Sequence, residues 1–490
     1  MRGLGTRFGV TRSPGWDAVA HLDIAGVTAD SRAVVPGDLF AALPGTRVDG
    51  RTFIAEAVAR GAIAVLAPPG TAWPPGVPPR PVIMDAEPRR ALAQIASVLA
   101  GPQPKIVAAV TGTNGKTSTV EFTRQLWASA GVKAASLGTL GLIAPGFDPG
   151  PGLTTPDPVS LAETLAGLAR HGVDRAAMEA SSHGLDQFRL DGVRLSAAAF
   201  TNLTRDHLDY HGTLDAYRAA KMRLFAELLP SGSPVVAHAD MESVTLDVLQ
   251  TVARNRKLDL LTVGVAGTTI RLIEATPRAD GQVLTLQVGN VRREVALPLP
   301  GRFQADNVLV AVAMTEALGL SDALDRVGTL TGVRGRMELA ARLPNGAAAY
   351  VDYAHTPDAL ERLLTALRPH TAGRLHVVFG AGGDRDRGKR PLMGAAAASL
   401  ADVCIVTDDN PRTEAPETIR SAILAACPGA IEIGDRAKAI EAALNRLAPG
   451  DVLVVAGKGH EQGQTIGTTV LPFDDVSVIR SLTGGTGGGA

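Results

Sequence analysis

The sequence contains little cysteine and no long apolar segment. Its two cysteines, Cys404 and Cys427, cannot build a disulfide framework or a cysteine-rich zinc site in a chain of 490 residues. So low a cysteine content favours a reducing compartment. No apolar run approaches the roughly 18 residues that a membrane-spanning helix needs, and the N-terminal residues lack the apolar core of a signal peptide. We therefore expect a soluble, cytoplasmic protein with no membrane partner.

A surplus of positive charge is also missing. The chain has 48 Lys+Arg and 49 Asp+Glu residues, which gives a formal net charge of -1. Binding to a nucleic acid needs a basic surplus, so this balance argues against such a partner while leaving room for a local basic pocket. Hydrophobic residues make up 45% of the chain and charged residues 20%, values typical of a folded globular protein.

The length and the pattern of the chain predict three α/β domains. At about 100–200 residues per domain, a chain of 490 residues holds about three. Short β-branched apolar runs alternate with longer amphipathic runs, which is typical of α/β layers with parallel sheets. Residues 347–456 follow the strand and helix order of a doubly wound, Rossmann-like domain. Breaks in the pattern place the three domains at residues 1–103, 104–335 and 336–490.

A glycine-rich turn in the middle domain predicts a phosphate site. The strand-like residues 105–110 precede TGTNGKTST (111–119), and a helical run follows. Backbone N–H groups of such a turn point at an anion, a lysine adds positive charge, and a threonine hydroxyl can bind Mg²⁺. Val110 stands where the strict P-loop pattern has its first glycine. The alternative is an ordinary strand-to-helix turn with a chance lysine.

A lysine interrupts the apolar face of a predicted helix at residues 213–229. Thr213 suits the N-cap, Pro230 follows the end, and Lys221 completes a stripe made of Leu214, Tyr217, Leu224, Phe225 and Leu228. Such a lysine must reach back to solvent, pair with an acid, or lose its charge. A lysine that loses its charge becomes a nucleophilic amine. The helix alone favours the first of these readings.

Two further polar residues follow predicted strands. Glu179 ends the strand at residues 174–180, and His207 follows the strand at residues 195–202. Ligands of open α/β sheets bind beyond the carboxyl ends of strands, so we expect Glu179, His207 and the phosphate loop to share one rim. A single histidine after a strand is usually a loop residue, and only the convergence of three candidates favours a site.

Eleven collinear segments resemble the Mur ligase family, and within it the ligases that add the third residue of the peptidoglycan stem peptide. They are GTNGKTST (112–119), TTPD (154–157), EASSHGLDQFR (179–189), TNLTRDHLDYHG (201–212), AYRAAKMRLF (216–225), GRFQADN (301–307), GVRGRME (332–338), VDYAHTPDAL (351–360), GAGGDRDRGKRPLMG (380–394), DDNPRTE (408–414) and AGKGHE (456–461). Residues 30–45 also resemble the nucleotide-sugar domain of this family. Gln304 departs from it, because relatives more often have asparagine there.

The resemblance implies a reaction and a modified lysine. UDP-N-acetylmuramoyl-L-alanyl-D-glutamate, ATP and a diamino acid would give the UDP-tripeptide, ADP and phosphate through an acyl phosphate. Lys221 would be carbamylated by CO₂, which replaces the solvent-reaching reading of its helix. Two Mg²⁺ ions are implied, one held by Thr117 and Glu179 and a second by His207 and carbamylated Lys221. The implied catalytic residues are Lys116, Glu179, His207 and Lys221.

The resemblance also implies three sets of binding residues. ATP would contact Gly112, Thr113, Asn114, Gly115, Lys116, Thr117, Ser118, Asn307, Arg336 and Asp352, which implies domain closure before chemistry. The UDP-linked substrate would contact Ser31, Thr154, Thr155, Ser181, Gln187 and Arg189. The diamino acid would contact Arg390, Asp409, Asn410, Pro411, Arg412, Gly457 and Glu461. We expect a monomer with small-molecule partners only.

The DNPR sequence at residues 409–412 favours meso-diaminopimelate as the diamino acid. It follows a predicted strand, and the planar guanidinium of Arg412 matches the second carboxylate that L-lysine lacks. The L-lysine-adding ligase of the same family and a folylpolyglutamate-synthase-like ligase stay open as alternatives. A P-loop NTPase switch or motor would share only the phosphate loop.

Overall fold

The computed structural model describes residue 19 and residues 21–45, 48–148, 152–278 and 281–484. The segment on which the expectation about a signal peptide rests, residues 1–16, lies outside these ranges. The chain divides into two compact units, Met1–Thr268 with Val310–Ser321 and Thr269–Leu309 with Asp322–Ala490. No described helix has the length and apolar content needed to cross a bilayer. Cys404 and Cys427 are both free and buried.

The first unit begins with a small parallel sheet. Its strands lie in the order Val27–Thr28, Leu39–Ala41, Ala64–Ala67 and Val82–Met84. The two central strands are apolar on both faces, as expected where helices cover a parallel sheet. The helices of this region are Ile54–Ala59 and Pro88–Ala100.

A second sheet in the first unit carries the phosphate loop. Its described order is Asp259–Gly264, Pro234–His238, Ala197–Phe200, Ile106–Thr111, Arg175–Glu179, Ala134–Gly138 and Gly141–Ile143. All of these pairs are parallel except the last. The accompanying helices are Lys116–Ser129, Pro158–Arg170, Ser182–Asp186, Leu208–His211, Leu214–Arg223 and Ser243–Arg256. The carboxyl ends of three adjacent central strands therefore bring residues 112, 179 and 201 to one rim.

The second unit contains two larger groups of paired strands and a hairpin. In the first group, the strands Ile270–Arg278, Gly281–Val288 and Val291–Leu297 pair in antiparallel order. The second has the order Glu338–Arg342, Ala348–Asp352, Val452–Ala456, Leu375–Phe379, Val403–Val406 and Ile431–Glu432, and only its first pair is antiparallel. Its helices are Pro357–Leu367, Lys389–Leu400, Pro416–Leu424, Arg436–Leu444 and Asp475–Thr483. Strands Gly463–Ile466 and Thr469–Pro472 form the hairpin. The helix Arg302–Ala317 begins in this unit and ends in the first.

The α/β class and the alternation predicted for residues 347–456 are confirmed. The sequence pattern predicts a helix at residues 357–367 and a strand at residues 374–379, for example, and the structure has the helix Pro357–Leu367 and the strand Leu375–Phe379. The antiparallel strands of residues 270–297 and the edge strand Glu338–Arg342 were not predicted. The domain boundaries at 103/104 and 335/336 stay predictions.

Candidate active site

The phosphate loop joins the strand Ile106–Thr111 to the helix Lys116–Ser129, as predicted. Gly112 and Gly115 have φ angles of 144° and 85°. Glycine tolerates these angles, and a Cβ atom on Gly112 would lie 1.9 Å from the Thr201 hydroxyl. The backbone N–H groups at the start of the helix therefore stand in the arrangement that binds phosphate.

The loop is tied to the end of the neighbouring strand. The Asn114 backbone N–H donates to Asn202 Oδ1 at 3.0 Å, and the Thr201 hydroxyl donates to the Asn114 carbonyl at 2.6 Å. Lys116 Nζ donates to the carbonyls of Gly112 and Thr113 at 2.9 and 2.8 Å. These bonds fix the loop and keep the Lys116 ammonium over it.

Thr117 and Glu179 meet beside the loop. The Thr117 hydroxyl donates to Glu179 Oε1 at 3.0 Å, and the Thr139 backbone N–H donates to the same oxygen at 2.7 Å. Glu179 is 1% exposed. A Cβ atom on Gly138 would lie 2.1 Å from Glu179 Oε1, so only glycine leaves room for the carboxylate. A hydroxyl and a carboxylate offer the oxygen ligands that Mg²⁺ prefers, and this pair fits a magnesium site.

Lys221 lies in the interior next to the loop. Its side chain is 1% exposed, and Nζ donates to the Gly112 carbonyl at 2.8 Å. Nζ also lies 4.5 Å from the centre of the Tyr217 ring. Burial, with a smaller effect of the positive charge of Lys116, holds the pKa of Lys221 well below its usual range. Lys221 therefore does not reach solvent, and its burial favours the neutral amine more than in an exposed lysine.

His207 lies at the same rim but is half exposed. It has a left-handed backbone conformation (φ 51°) and precedes the short helix Leu208–His211. Its ring centre lies 6.1 Å from that of Tyr217, the residue that also contacts Lys221. An ammonium and an imidazole are a poor ligand pair for Mg²⁺, so this second site fits a cation only with a carboxylated Lys221.

A cluster of aromatic rings around His207 was missed at the sequence level. His183 lies 5.0 Å from His207, 4.1 Å from Tyr210 and 5.5 Å from His211, measured between ring centres. Burial lowers the pKa of His183 and of His211. Burial also raises the pKa of Tyr217, the residue that joins this cluster to Lys221, to about 12. The only sequence signal was the presence of histidines in the segments SSHG and DYHG.

Five of the six residues assigned to the UDP-linked substrate lie together. Thr155 accepts from the Ser181 N–H at 3.0 Å and donates to the Glu179 carbonyl at 3.1 Å. Arg189 donates to the Thr155 carbonyl at 2.7 Å and to Gln187 Oε1 at 2.7 Å. Thr154 joins the group through the Thr139 hydroxyl, 3.0 Å away. These contacts connect the five residues assigned to the UDP-linked substrate with the buried Glu179.

Ser31 stands apart from that group. It lies in the N-terminal sheet region, where its hydroxyl donates to Glu56 Oε2 at 2.9 Å. No contact described in the structure links it to the other five residues.

The second unit holds the remaining residues assigned to ATP, which are Asn307, Arg336 and Asp352. Asn307 donates to Gln304 Oε1 at 3.3 Å, and Gln304 donates to the Arg336 carbonyl at 3.3 Å. Asp352 accepts from the backbone N–H groups of Met337 and Ala354 at 2.7 and 2.8 Å. Burial raises the pKa of Asp352, against the effect of the Arg336 charge. The structure therefore brings Asn307, Arg336 and Asp352 into one hydrogen-bonded group.

Residues assigned to the diamino acid lie in two loops that meet beyond the end of the strand Val403–Val406, and we call this group the amino-acid pocket. Asn410 donates to Glu461 Oε2 at 3.0 Å, which joins the DNPR loop to the AGKGHE loop. Arg412 has a φ of 54° and donates to the Gly383 carbonyl at 2.8 Å. A Cβ atom on Gly457 would lie 3.1 Å from Asp409 Oδ2. Pro411 lies between Asn410 and Arg412 in the same loop.

Arg390 is 2% exposed and binds Glu414 Oε1 at 2.9 Å. Its Nε atom has no hydrogen-bond partner among the described residues. The buried guanidinium therefore keeps one donor available.

Lys458 is the residue of this pocket that sequence reasoning missed. Its side chain is fully buried, and Nζ donates to Asn410 Oδ1 at 3.0 Å and to Glu461 Oε2 at 3.3 Å. Asp409 Oδ1 lies 3.6 Å away. Lys458 lies inside the segment AGKGHE. The available signal was its position between Gly457 and Glu461, which the resemblance assigns to the diamino acid.

Comparison with known proteins assigns the family. The chain matches the Mur ligase family catalytic domain over residues 23–99, the Mur ligase middle domain over residues 110–315, and the Mur ligase glutamate ligase domain over residues 335–459. It is 55% identical over 472 residues to the UDP-N-acetylmuramoyl-L-alanyl-D-glutamate--2,6-diaminopimelate ligase of Caulobacter vibrioides, covering 94% of this chain and 96% of the relative. It is 53% identical over 468 residues to the ligase of the same name from Rhizobium meliloti, covering 95% of each.

A solved structure agrees with these sequence matches. The structure of a UDP-N-acetylmuramoyl-L-alanyl-D-glutamate--2,6-diaminopimelate ligase superposes with a TM-score of 0.71 at 36% identity, covering 94% of this chain and 95% of that one. The motifs, the fold and these matches lead to one conclusion: the chain belongs to the Mur ligase family.

Proposed function

We propose that the protein joins meso-diaminopimelate to the D-glutamyl γ-carboxylate of UDP-N-acetylmuramoyl-L-alanyl-D-glutamate at the expense of ATP, in peptidoglycan synthesis. The names of the relatives support this substrate pair. The observation that carries the chemistry is the buried amine of Lys221, hydrogen-bonded at 2.8 Å to the phosphate loop itself. We further propose that the enzyme acts in the cytoplasm as a monomer.

The reaction needs an activated acyl group, because a carboxylate does not form an amide with an amine at a useful rate. The γ-carboxylate would take the γ-phosphoryl group of ATP, releasing ADP and giving an acyl phosphate. The diaminopimelate amine would then attack the acyl carbon, and phosphate would leave. Both reactants of the first step are anions, so nearby positive charge lowers the barrier. Lys116 and the helix N-terminus at the phosphate loop supply such charge.

Lys221 is suited to carbamylation. Its neutral amine would attack the carbon of CO₂, form an N–C bond and release a proton. The product is a carboxylate on an otherwise apolar helix face. Thr117 with Glu179, and His207 with carbamylated Lys221, would then hold Mg²⁺. When bound, Mg²⁺ offsets the charge of phosphate and carboxylate oxygens.

The second unit would select the amine. Arg412, held by the Gly383 carbonyl, and the free donor of Arg390 would face a carboxylate, while Asp409 and Glu461 would face the distal ammonium. Diaminopimelate has both groups, whereas L-lysine lacks the second carboxylate. A site built for a carboxylate rejects an analogue without it, because its buried arginine stays unpaired.

Competition between amines tests this proposal. Purified protein would receive ATP, the UDP-linked dipeptide and equimolar meso-diaminopimelate, L-lysine and L-glutamate, and products would be quantified by mass spectrometry. We expect the diaminopimelate product to exceed the lysine product by roughly 100-fold or more in the wild type. The Arg412→Lys variant should lose most of that preference. Comparable kcat/KM values for lysine and diaminopimelate would contradict the proposal. In a parallel reaction that replaces the UDP-linked dipeptide with a folate acceptor, a product formed from glutamate would favour the alternative ligase.

A further inference from the structure

A charged cluster around Phe188 joins three parts of the first unit that are distant in sequence. Arg90 belongs to the helix Pro88–Ala100, and Arg223 belongs to the helix that carries Lys221. Asp191 follows residues 187–189, which we call the substrate segment because Gln187 and Arg189 are assigned to the UDP-linked substrate. Glu227 lies in the π-helical turn Leu224–Leu228. We call these four residues and Phe188 the Phe188 cluster. None of them belongs to the proposed sets of catalytic or binding residues.

Asp191 lies at the centre of the cluster. Its Oδ1 accepts from Arg90 Nε and from Arg223, both at 2.9 Å, and its side chain is only 3% exposed. Glu227 accepts from the same two arginines, with Arg223 at 3.0 Å. Arg90 also pairs with Glu87 at 2.6 Å, so the two guanidinium groups meet three carboxylates. The pairing is largely buried at Asp191 and Arg223, so it is screened less than a surface ion pair.

Phe188 is held in an unfavourable backbone conformation. Its φ angle is 59°, in the left-handed region that an aromatic residue rarely adopts. The guanidinium carbons of Arg223 and Arg90 lie over its ring, 4.2 and 4.9 Å from the ring centre. Strained residues of this kind persist where the surroundings over-determine them, and they concentrate at functional sites. Here the surroundings are the two arginines that Asp191 and Glu227 hold in place.

The strained residue lies between two residues proposed to contact the substrate. Gln187 and Arg189 flank Phe188, and Arg189 reaches the Thr155 carbonyl. On the other side of the cluster, Arg223 lies two positions after Lys221 and also donates to the Leu185 carbonyl, just before the substrate segment. One set of ion pairs thus fixes both the substrate segment and the helix of the buried lysine.

We infer that the Phe188 cluster consists of positioning residues that hold the Gln187–Arg189 segment ready for the UDP-linked substrate. This inference rests on the proposed function. The cluster would bind no substrate atom itself. Its effect would be to keep the segment in its binding conformation before the substrate arrives, so that ordering does not reduce affinity.

Matched arginine substitutions on one helix test the inference. Arg223→Lys keeps the charge but loses the planar fork that holds Asp191 and covers Phe188. Arg218→Lys is the control, because the Arg218 side chain is 9% exposed against 14% for Arg223, and it pairs with Asp215 and Glu242 without touching the substrate segment. We expect Arg223→Lys to raise KM for the UDP-linked dipeptide roughly tenfold while KM for ATP and for diaminopimelate stays within twofold. Arg218→Lys should leave all three KM values unchanged.

A second variant separates positioning from general stability. Phe188→Gly removes the ring, and glycine accepts the left-handed conformation, so relief of backbone strain should offset part of the lost ring contacts and the melting temperature should fall only slightly. KM for the UDP-linked dipeptide should nevertheless rise. The double variant of Phe188→Gly and Arg223→Lys should have a KM close to that of the single variants, because both changes disrupt the same cluster. Unchanged KM in both single variants, measured on protein whose wild type forms the tripeptide, would overturn the inference alone. Failure of the wild type to form that product would instead overturn the proposed function.

Discussion

Lys221 shows how far a single residue could be interpreted from sequence. The helical spacing placed a lysine on an apolar stripe and, taken alone, favoured a side chain that reaches solvent. The structure contradicts that interpretation, because Lys221 is only 1% exposed. The apolar stripe does not indicate which group the amine contacts, because the Gly112 carbonyl is 109 positions away in sequence. Burying a lysine amine that pairs with no carboxylate among the described residues costs free energy. A residue with such a cost is expected at a functional position, where activity outweighs the loss of stability.

Replacing Lys221 tests the carbamate directly. Lys221→Ala should lower kcat by about 100-fold or more, because the carboxylate that replaces the amine is lost together with its ligand oxygens. Added formate or acetate should restore part of the activity by occupying the vacated space. The measurement is steady-state phosphate release at increasing carboxylate concentration. Full activity of Lys221→Ala without any added carboxylate would refute this role.

The pH dependence of stability provides a second test of Lys221. Its pKa in the folded protein lies well below the 10.5 of an exposed lysine. Between the two values the unfolded chain binds the proton and the folded chain does not, so wild-type stability rises with pH across this window. In CO₂-free buffer, we expect Lys221→Met to be more stable than the wild type, and this difference in the free energy of unfolding should shrink as the pH rises towards 10.5. Thermal unfolding measures it, and a difference independent of pH would contradict the lowered pKa.

Lys458 makes a separate prediction for the amino-acid pocket. Its ammonium binds Asn410 and Glu461, and it lies 3.6 Å from Asp409, so its loss leaves two carboxylates without their buried cation. Lys458→Met should raise KM for diaminopimelate by roughly tenfold and leave KM for ATP unchanged. Lys438→Met, at an exposed lysine of the same unit, is the control. Equal KM values for diaminopimelate in both variants would rule out this role.

At the scale of elements, buried parallel strands were the easiest to predict. The strands Ile106–Thr111 and Val452–Ala456 are apolar on both faces and bounded by turn residues, so their sequence alone identifies them. The antiparallel strand Ile270–Arg278 was missed because its exposed and buried positions do not alternate cleanly, and a bulge interrupts its register after Leu272. Register and pairing depend on partners elsewhere in the chain.

The end of the strand Ala134–Gly138 makes an element-scale prediction. Gly138→Ala would place a Cβ atom 2.1 Å from Glu179 Oε1, so the carboxylate must move away from Thr117. We expect a fall in kcat of roughly tenfold or more and a rise in the Mg²⁺ concentration needed for half-maximal rate. Gly167→Ala is the control, since its Cβ would meet nothing closer than 4.0 Å inside the helix Pro158–Arg170. An unchanged Mg²⁺ requirement in Gly138→Ala would contradict the assigned metal role of Glu179.

At the scale of the whole molecule, the two kinds of site lie in different units. The phosphate loop, Glu179 and Lys221 belong to the first unit, whereas the amino-acid pocket belongs to the second. Collinear motifs allowed both to be predicted, because each motif is local in sequence. The Phe188 cluster could not be predicted, since it joins Arg90 to Asp191 across 101 positions and to Glu227 across 137. Lys458 was not predicted for a related reason, because only the fold shows that its neighbours are Asn410 and Asp409.

The transfer of a phosphoryl group from ATP to the substrate carboxylate is the central claim, and oxygen labelling tests it most directly. The UDP-linked dipeptide would carry ¹⁸O in its D-glutamyl γ-carboxylate, and the phosphate released with diaminopimelate would be analysed by mass spectrometry. An acyl phosphate leaves one carboxylate oxygen in the phosphate, so we expect one ¹⁸O atom per phosphate formed. Unlabelled phosphate, released in step with the tripeptide product, would contradict the proposed reaction.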